Sequence, residues 1–347
     1  MGTVYEAEHV ALGRVVAIKV LHRVHASGKE SVIRFYREAR AAGCIGHPNV
    51  CEVYDVDTLD DGRPYLVMEK LVGETLARRI AAEGKLPPEE MVHILIQVLS
   101  ALGAAHDRGI IHRDIKPENV LLAERSGCPP LAKLLDFGVS KSTRGNGTQG
   151  FDEVDLTRRG TVMGTPHYLS PEQARGDRDL DARVDIYACG VLLYEGLTGQ
   201  RPFHGPTHSE LLRAILSAKP RPARELRRAL PSGFDAVLAR AMARERESRY
   251  PTAAEFQREL QRLRDQPEEG PRLGAKILRP RPAPPTPGAE GDDHPTQIWR
   301  GRLPRPDGQK TPLAPGPKPA RVNPDDRDTV VRSRLSEGLA RAERERL

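Results

Sequence analysis

Aromatic residues make up only 4% of this chain, tryptophan occurs once, and cysteine occurs four times in 347 residues. Cys44, Cys51, Cys128 and Cys189 form no CxxC pair and have no histidines at ligand spacing, which excludes a disulfide framework and a cysteine zinc site. No long apolar run is present either. The most apolar stretch, Ile186 to Leu197, is too short to cross a bilayer, is flanked by Asp185 and is interrupted by Glu195, so it reads as a buried helix. The N-terminus lacks a basic segment followed by an apolar run and a small-residue cleavage site, so a reducing cytoplasm is the expected location. No internal repeat is evident.

Charge is spread unevenly. The formal net charge is +6, and residues 267 to 347 hold sixteen Lys and Arg against twelve Asp and Glu, leaving a surplus of only two for the first 266 residues. The cations of this tail alternate with acids and lack aromatic neighbours for base stacking, which argues against nucleic acid as a partner. Fifteen of the thirty prolines also fall there, with few large apolar residues, so a disordered tail from residue 266 is expected. Within it, Val331, Leu335 and Leu339 could lie on a short helix. The 38% hydrophobic content is adequate for a packed core over the rest.

Along the first part of the chain, Val4 to Glu8, Arg14 to Leu21, Val53 to Val56 and Arg63 to Met68 read as strands, the first two joined by a turn at Gly13. Between them, Ser31 to Cys44 reads as a helix, with Val32, Phe35, Ala39 and Ala42 recurring at steps of three and four. After Gly73 the pattern becomes helical. Leu76 to Glu83 comes first, then Pro88 to Arg108 with Met91, Leu95, Val98, Leu102 and Ala105 on one face, then helices from Asp181 to about Leu263.

Two phrases in the middle of the chain carry chemistry. The first is Ile111-His112-Arg113-Asp114-Ile115-Lys116-Pro117-Glu118-Asn119-Val120-Leu121-Leu122, and the second is Leu135-Asp136-Phe137-Gly138. The first supplies an Asp to orient an attacking hydroxyl, a Lys to face a moving phosphate and an Asn to hold magnesium; the second adds the main metal-binding carboxylate. A dozen residues in register followed by Asp-Phe-Gly resemble the protein kinases. Lys116-Pro117-Glu118-Asn119 resembles the serine/threonine branch, and more narrowly the eukaryotic-like serine/threonine kinases of bacteria.

That resemblance covers residues 1 to about 265. It implies an α+β, two-lobed fold with a small β-rich lobe over residues 1–68, a larger helical lobe over 72–265, and nucleotide in the cleft between. The activity implied is transfer of the ATP γ-phosphoryl group to Ser and Thr hydroxyls of protein substrates, with ATP and Mg2+ required. Val16-Ala17-Ile18-Lys19 matches the strand carrying the ATP-anchoring lysine, and Glu38 is its expected partner. Asp114 is the implied base, Lys116 neutralises the transferring group, and Asn119 and Asp136 hold Mg2+. His112 and Phe137 read as packing residues. The adenine lining implied is Val4, Ala17, Met68, Leu71 and Leu121, with Met68 as gatekeeper. Gly164-Thr165-Pro166-His167-Tyr168-Leu169-Ser170-Pro171-Glu172 resembles the segment that receives the substrate chain, with Ser170 where Ala is usual. Thr165 is expected to touch Asp114 and Lys116, Glu172 to pair with Arg249, and Asp185 to hold the backbone of the catalytic loop. Arg113 could pair with a phosphate on the activation loop, where Thr157 and Thr161 are the best acceptors.

The family's Gly-rich loop is matched here only at its end, by Met1-Gly2-Thr3-Val4, and the expectation is that Met1 is an internal residue of a longer gene product. Two other readings stay open. One is a truncated, weakly ATP-binding scaffold that keeps the fold. The other is an interaction module whose tail recruits phosphothreonine-binding partners through Thr296-Gln297-Ile298 and Thr329-Val330-Val331.

Overall fold

The computed structural model describes residues 2–9, 13–26, 28–137 and 166–265, together with the backbone of 301–302. Thr157, Thr161, Thr165 and, apart from that short stretch, the Pro-rich tail lie outside the described residues. Contacts divide the chain into two compact units, the first made from residues up to Gly43 and Glu52–Leu71, the second from Cys44–Cys51 and the chain from Val72.

The first unit is a twisted sheet with one helix against it. β1 (Gly2–His9) and β2 (Arg14–Leu21) pair antiparallel with Tyr5 opposite Ile18. A four-residue helix, α1 (Arg23–Ala26), and a long one, α2 (Lys29–Ile45), precede β3 (Val53–Thr58) and β4 (Pro64–Glu69). A two-residue strand, Gly301–Arg302, lies parallel to β1 and completes the strand order β3, β4, β2, β1 and this last strand. Because strand side chains alternate between faces, the sheet makes two apolar layers. Tyr5, Ala7, Val16, Ile18, Val20, Leu59 and Tyr65 bury one face. Leu21 and Leu66 emerge on the other, where Phe35 and Ala39 of α2 cover them. Each large side chain buried this way contributes about 1.5–3 kcal/mol.

The second unit is mainly helical. It begins with β5 (Gly73–Thr75), α3 (Leu76–Glu83) and α4 (Pro88–His106), followed by the hairpin β6 (Val120–Ala123) and β7 (Leu131–Leu134). It continues through α5 (Pro171–Arg175), α6 (Arg183–Thr198), α7 (His208–Ser217), α8 (Ala223–Leu226), α9 (Gly233–Ala241) and α10 (Ala253–Asp265). Every residue of α6 from Val184 to Thr198 is buried, as its all-round apolar character demands. It packs on α4 and α9, and α4 packs in turn on α10. The Met91 side chain of α4 packs directly on the α6 backbone at Gly196, where a Cβ would sit 2.3 Å from the Met91 sulfur.

The three short strands β5, β6 and β7 form a second sheet in that order, which the sequence reading did not include. Runs of four apolar residues such as Val120 to Ala123 cannot be told from helix by periodicity, and only their partners decide. Gly73 makes the pairing of β5 with β6 possible. Its φ is 150°, and a Cβ there would lie 2.1 Å from the Leu122 carbonyl oxygen.

An ion pair sealed inside the second unit ties α5 to the chain just before α10. Arg249 Nη1 donates to Glu172 Oε1 at 2.6 Å and Nη2 to Oε2 at 2.8 Å, and the two side chains are 0% and 4% exposed. The three remaining guanidinium N–H groups donate to the carbonyls of Ala243, Arg183 and Arg244 at 2.8, 3.1 and 3.0 Å. All five donors of the fork are therefore matched, and the guanidinium also lies over the Tyr187 ring at 5.0 Å. Burial alone would push the Glu172 carboxyl up, but the Arg249 hydrogen bonds and charge outweigh it and hold the group below its usual 4.5.

Three substitutions test this packing. Gly73→Ala loses about 1–3 kcal/mol of stability in urea unfolding, because a strained backbone and a clash with β6 coincide. Arg249→Lys loses about 3 kcal/mol, since lysine cannot fill the fork and leaves buried acceptors unmatched. The depressed Glu172 carboxyl stabilises the fold fully above pH 4.5, and that contribution disappears as pH falls through the lower folded-state value. Glu172→Gln therefore flattens the acid limb of a thermal-stability profile while lowering stability near neutrality.

Candidate active site

The segment between α4 and β6 holds the first chemical phrase, and its backbone is anchored by Asp185 in the first turn of α6. The Asp185 Oδ1 accepts from Arg113 N at 2.8 Å, and Oδ2 accepts from His112 N at 2.9 Å. His106 Nε2, in the last turn of α4, lies 2.8 Å from the same Oδ2. The carboxylate is 1% exposed. Burial pushes its pKa up, but hydrogen bonding to His106 and to the His112 amide outweighs that and keeps it below the usual value. A buried anion is thus paid for by backbone N–H groups that would otherwise be orphaned in the loop.

His112 is fully buried and connects the two phrases. Its Nε2 lies 3.1 Å from the Leu135 carbonyl, which can only accept, so Nε2 carries the proton and Nδ1 accepts from Asp114 N at 3.3 Å. Burial pushes the imidazole pKa down against the pull of Asp185, so the ring is neutral, as that bonding pattern requires. The ring also packs against Phe137, with centroids 4.6 Å apart.

This bracing supports an unusual backbone. Arg113 and Asp136 are the non-glycine residues with positive φ among those described, at 64° and 38°. Each such conformation costs on the order of 1–3 kcal/mol and persists where surrounding contacts over-determine it. One strained residue directly precedes Asp114, and the other is Asp136 itself.

Three side chains of the first phrase meet. Lys116 Nζ donates to Asp114 Oδ2 at 3.0 Å, and Asn119 Nδ2 donates to the same oxygen at 3.2 Å and to the Asp114 carbonyl at 2.8 Å. A single 3-10 turn over Pro117–Asn119 folds the chain back to allow this. Since both partners of Asn119 Nδ2 are acceptors, the amide nitrogen is committed to Asp114 and the amide oxygen is left as the face that can meet a cation. The hairpin then delivers Asp136. Val120 pairs with Leu134, Leu135 N donates to the Asn119 carbonyl at 2.9 Å, and the exposed Asp136 is the next residue. Leu121 lies half-buried on β6 between Thr75 and Lys133.

In the first unit, the sheet register gathers another group on one face. Opposed residues of an antiparallel pair share a face. Val4 opposes Lys19, Lys19 opposes Leu66, and Ala17 opposes Met68. These side chains lie on the layer covered by α2, where Met68 packs beside Leu21, Phe35, Ala39 and Leu66. Glu38, half-buried on α2, adjoins Ala39 in that layer, and Leu71 is half-buried at the end of the unit.

Glu172 and Arg249, expected from the sequence to pair, do so, whereas several other contacts had no counterpart in the sequence reading. His106 had no signal beyond its place at a helix end. Tyr168 donates its hydroxyl to Glu195 on α6, which also accepts from Arg201 at 3.2 Å. Ser170 is fully buried and caps α5: its Oγ accepts from Gln173 N at 3.4 Å, and Gln173 Oε1 accepts from Ser170 N at 3.0 Å. The Ser-x-x-Gln spacing is a capping-box signature and could have been read from the sequence.

The protein kinase domain model matches residues 1–260. The serine/threonine-protein kinase Pkn1 of Myxococcus xanthus is 41% identical over 261 residues, which are 75% of this chain and 36% of that protein. The serine/threonine-protein kinase PknB of Mycobacterium tuberculosis is 36% identical over 277 residues, 79% of this chain and 42% of that protein. Among solved structures, the crystal structure of the Mycobacterium tuberculosis PknI kinase domain is 28% identical with a TM-score of 0.56, covering 75% of this chain and 90% of that one. A double mutant of the same domain gives a TM-score of 0.58 at 27% identity, covering 76% and 91%. The chain spans between about a third and a half of the length of these curated relatives. With the family model covering three quarters of its residues and the two-phrase site assembled on matching elements, the chain belongs to the protein kinase family.

Proposed function

We propose that this chain transfers the γ-phosphoryl group of ATP to serine and threonine hydroxyls of protein substrates. The observation that carries the reading is the convergence of Lys116 and Asn119 on one oxygen of Asp114, on a strained and fully braced loop. In the reaction, the substrate oxygen forms a bond to the γ-phosphorus while the bond from that phosphorus to the bridging oxygen breaks, releasing ADP. The hydroxyl proton passes to the Asp114 carboxylate. Lys116 offsets negative charge on the group in transfer. Lys19 binds the α and β phosphates, and Glu38 orients it. Val4, Ala17, Met68, Leu71 and Leu121 supply an apolar lining for adenine.

Members of the family use ATP with a divalent metal, and the donor set here suits Mg2+. The Asp136 carboxylate and the Asn119 amide oxygen are hard oxygen donors, and the Asn119 nitrogen is already engaged with Asp114. When bound, the ion neutralises phosphate charge. The four cysteines are free thiols, with Cys44 and Cys128 exposed, which supports work in a reducing cytoplasm. No helix among the described residues is long and apolar enough to cross a membrane. Thr157 and Thr161 are the proposed self-phosphorylation sites, and Thr165 the proposed substrate-positioning residue.

The test is a phosphoryl-transfer assay with Mg-ATP and a generic protein substrate, with products mapped by mass spectrometry. Phosphate on Ser or Thr is expected, with Asp114→Asn lowering kcat about 10²–10⁴-fold. Equal labelling by wild type and Asp114→Asn, or none by either, would overturn the proposal.

A further inference from the structure

Gln173 is shared between two structures. Its Oε1 accepts from Ser170 N at 3.0 Å, closing the cap of α5, and its Nε2 donates to the Arg113 carbonyl at 3.3 Å. These two contacts fix the amide orientation, because a flip would turn donor against donor and acceptor against acceptor. The carbonyl it holds belongs to the peptide joining Arg113 to Asp114. The other end of that peptide, Asp114 N, donates to His112 Nδ1, and the amide on the near side of Arg113 is held by Asp185. Arg113 is the residue at φ 64°, so its strained turn is gripped on both sides, by Asp185 at the N–H and by Gln173 at the C=O.

We propose that Gln173 is a positioning residue for phosphoryl transfer: by holding the plane of the Arg113–Asp114 peptide, it sets the aim of the Asp114 carboxylate. This rests on the kinase reading above. Asp185 and His112 act on N–H groups, and among the described contacts Gln173 is the group that holds the carbonyl of this peptide. The same side chain closes the first turn of α5, whose Glu172 is locked to Arg249, so the anchor for the carbonyl is itself immobile. The geometry thereby links the helix after the substrate-receiving segment to the group that takes the proton.

Two substitutions separate capping from positioning. Gln173→Glu keeps an oxygen for Ser170 N, since glutamate serves equally in a capping box, but offers no donor to the Arg113 carbonyl at neutral pH. Gln173→Met removes both contacts. Gln173→Glu keeps the cap but sets a carboxylate oxygen against the Arg113 carbonyl, so it is expected to lower Tm less than Gln173→Met does, yet to lose about ten- to a hundredfold in kcat at unchanged KM for ATP. Gln173→Met is expected to lose as much kcat and more of its Tm. Hydrogen exchange read by mass spectrometry on peptides spanning residues 110–119 should quicken in both variants. If Gln173→Glu keeps the wild-type kcat, Gln173 is a cap and the proposal is overturned. It is equally overturned if exchange quickens while kcat stays unchanged. Should wild type transfer no phosphate at all, unchanged exchange in Gln173→Glu would sink the clamp as well. Quickened exchange would then preserve the clamp on the loop while the kinase reading fails.

Discussion

The candidate site depends on one buried carboxylate. Asp185 sits at the head of the buried helix α6 and accepts two consecutive backbone N–H groups of the loop that carries Asp114, with His106 against one of its oxygens. A charged group so fully removed from water persists only when its lone pairs are matched, and here the matching groups are the backbone of the loop itself. That reciprocity makes the anchor selective. The carboxylate needs the loop in this conformation, and the loop can hold Arg113 in the left-handed region because the carboxylate is there.

From this anchor, order spreads outward by hydrogen bonds that each fix the next group. His112, placed by its backbone, sends Nε2–H to Leu135 and receives Asp114 N at Nδ1. Leu135 is the residue before Asp136, and its own N–H reaches the Asn119 carbonyl. Asn119 in turn grips Asp114. The two phrases are therefore one hydrogen-bonded assembly, with the strained Arg113 held by bonds on either side and the strained Asp136 set between the bonded Leu135 and Phe137, which packs on His112. Preorganisation of this kind is what electrostatic catalysis of phosphoryl transfer requires, because the protein contributes positioning and charge more than covalent chemistry.

The sequence was most legible where chemistry is local. Asp114, Lys116 and Asn119 lie within six residues, and a single 3-10 turn suffices to bring them together. Strands β1 to β4 and α2 of the first unit followed from alternation and from steps of three and four, and α4 and α6 from their apolar patterns, whereas the Gly301–Arg302 strand beside β1 lies in the tail expected to be disordered. The second sheet did not follow. Its strands are three or four residues long, and β5 finds β6 across more than forty residues of chain. The cap at Ser170 was in principle readable, whereas the second contact of the same glutamine, across sixty residues to Arg113, carries no sequence signal.

The sequence by itself determined which chemical groups are present and, through short-range periodicity, most of the elements that carry them. Tertiary structure alone decided which backbone amides Asp185 holds, which tautomer His112 adopts, and where Gln173 spends its donor. Those outcomes depend on contacts between residues far apart along the chain. Such contacts form only when α4, α5 and α6 pack together and exclude the water that would otherwise satisfy each polar group separately.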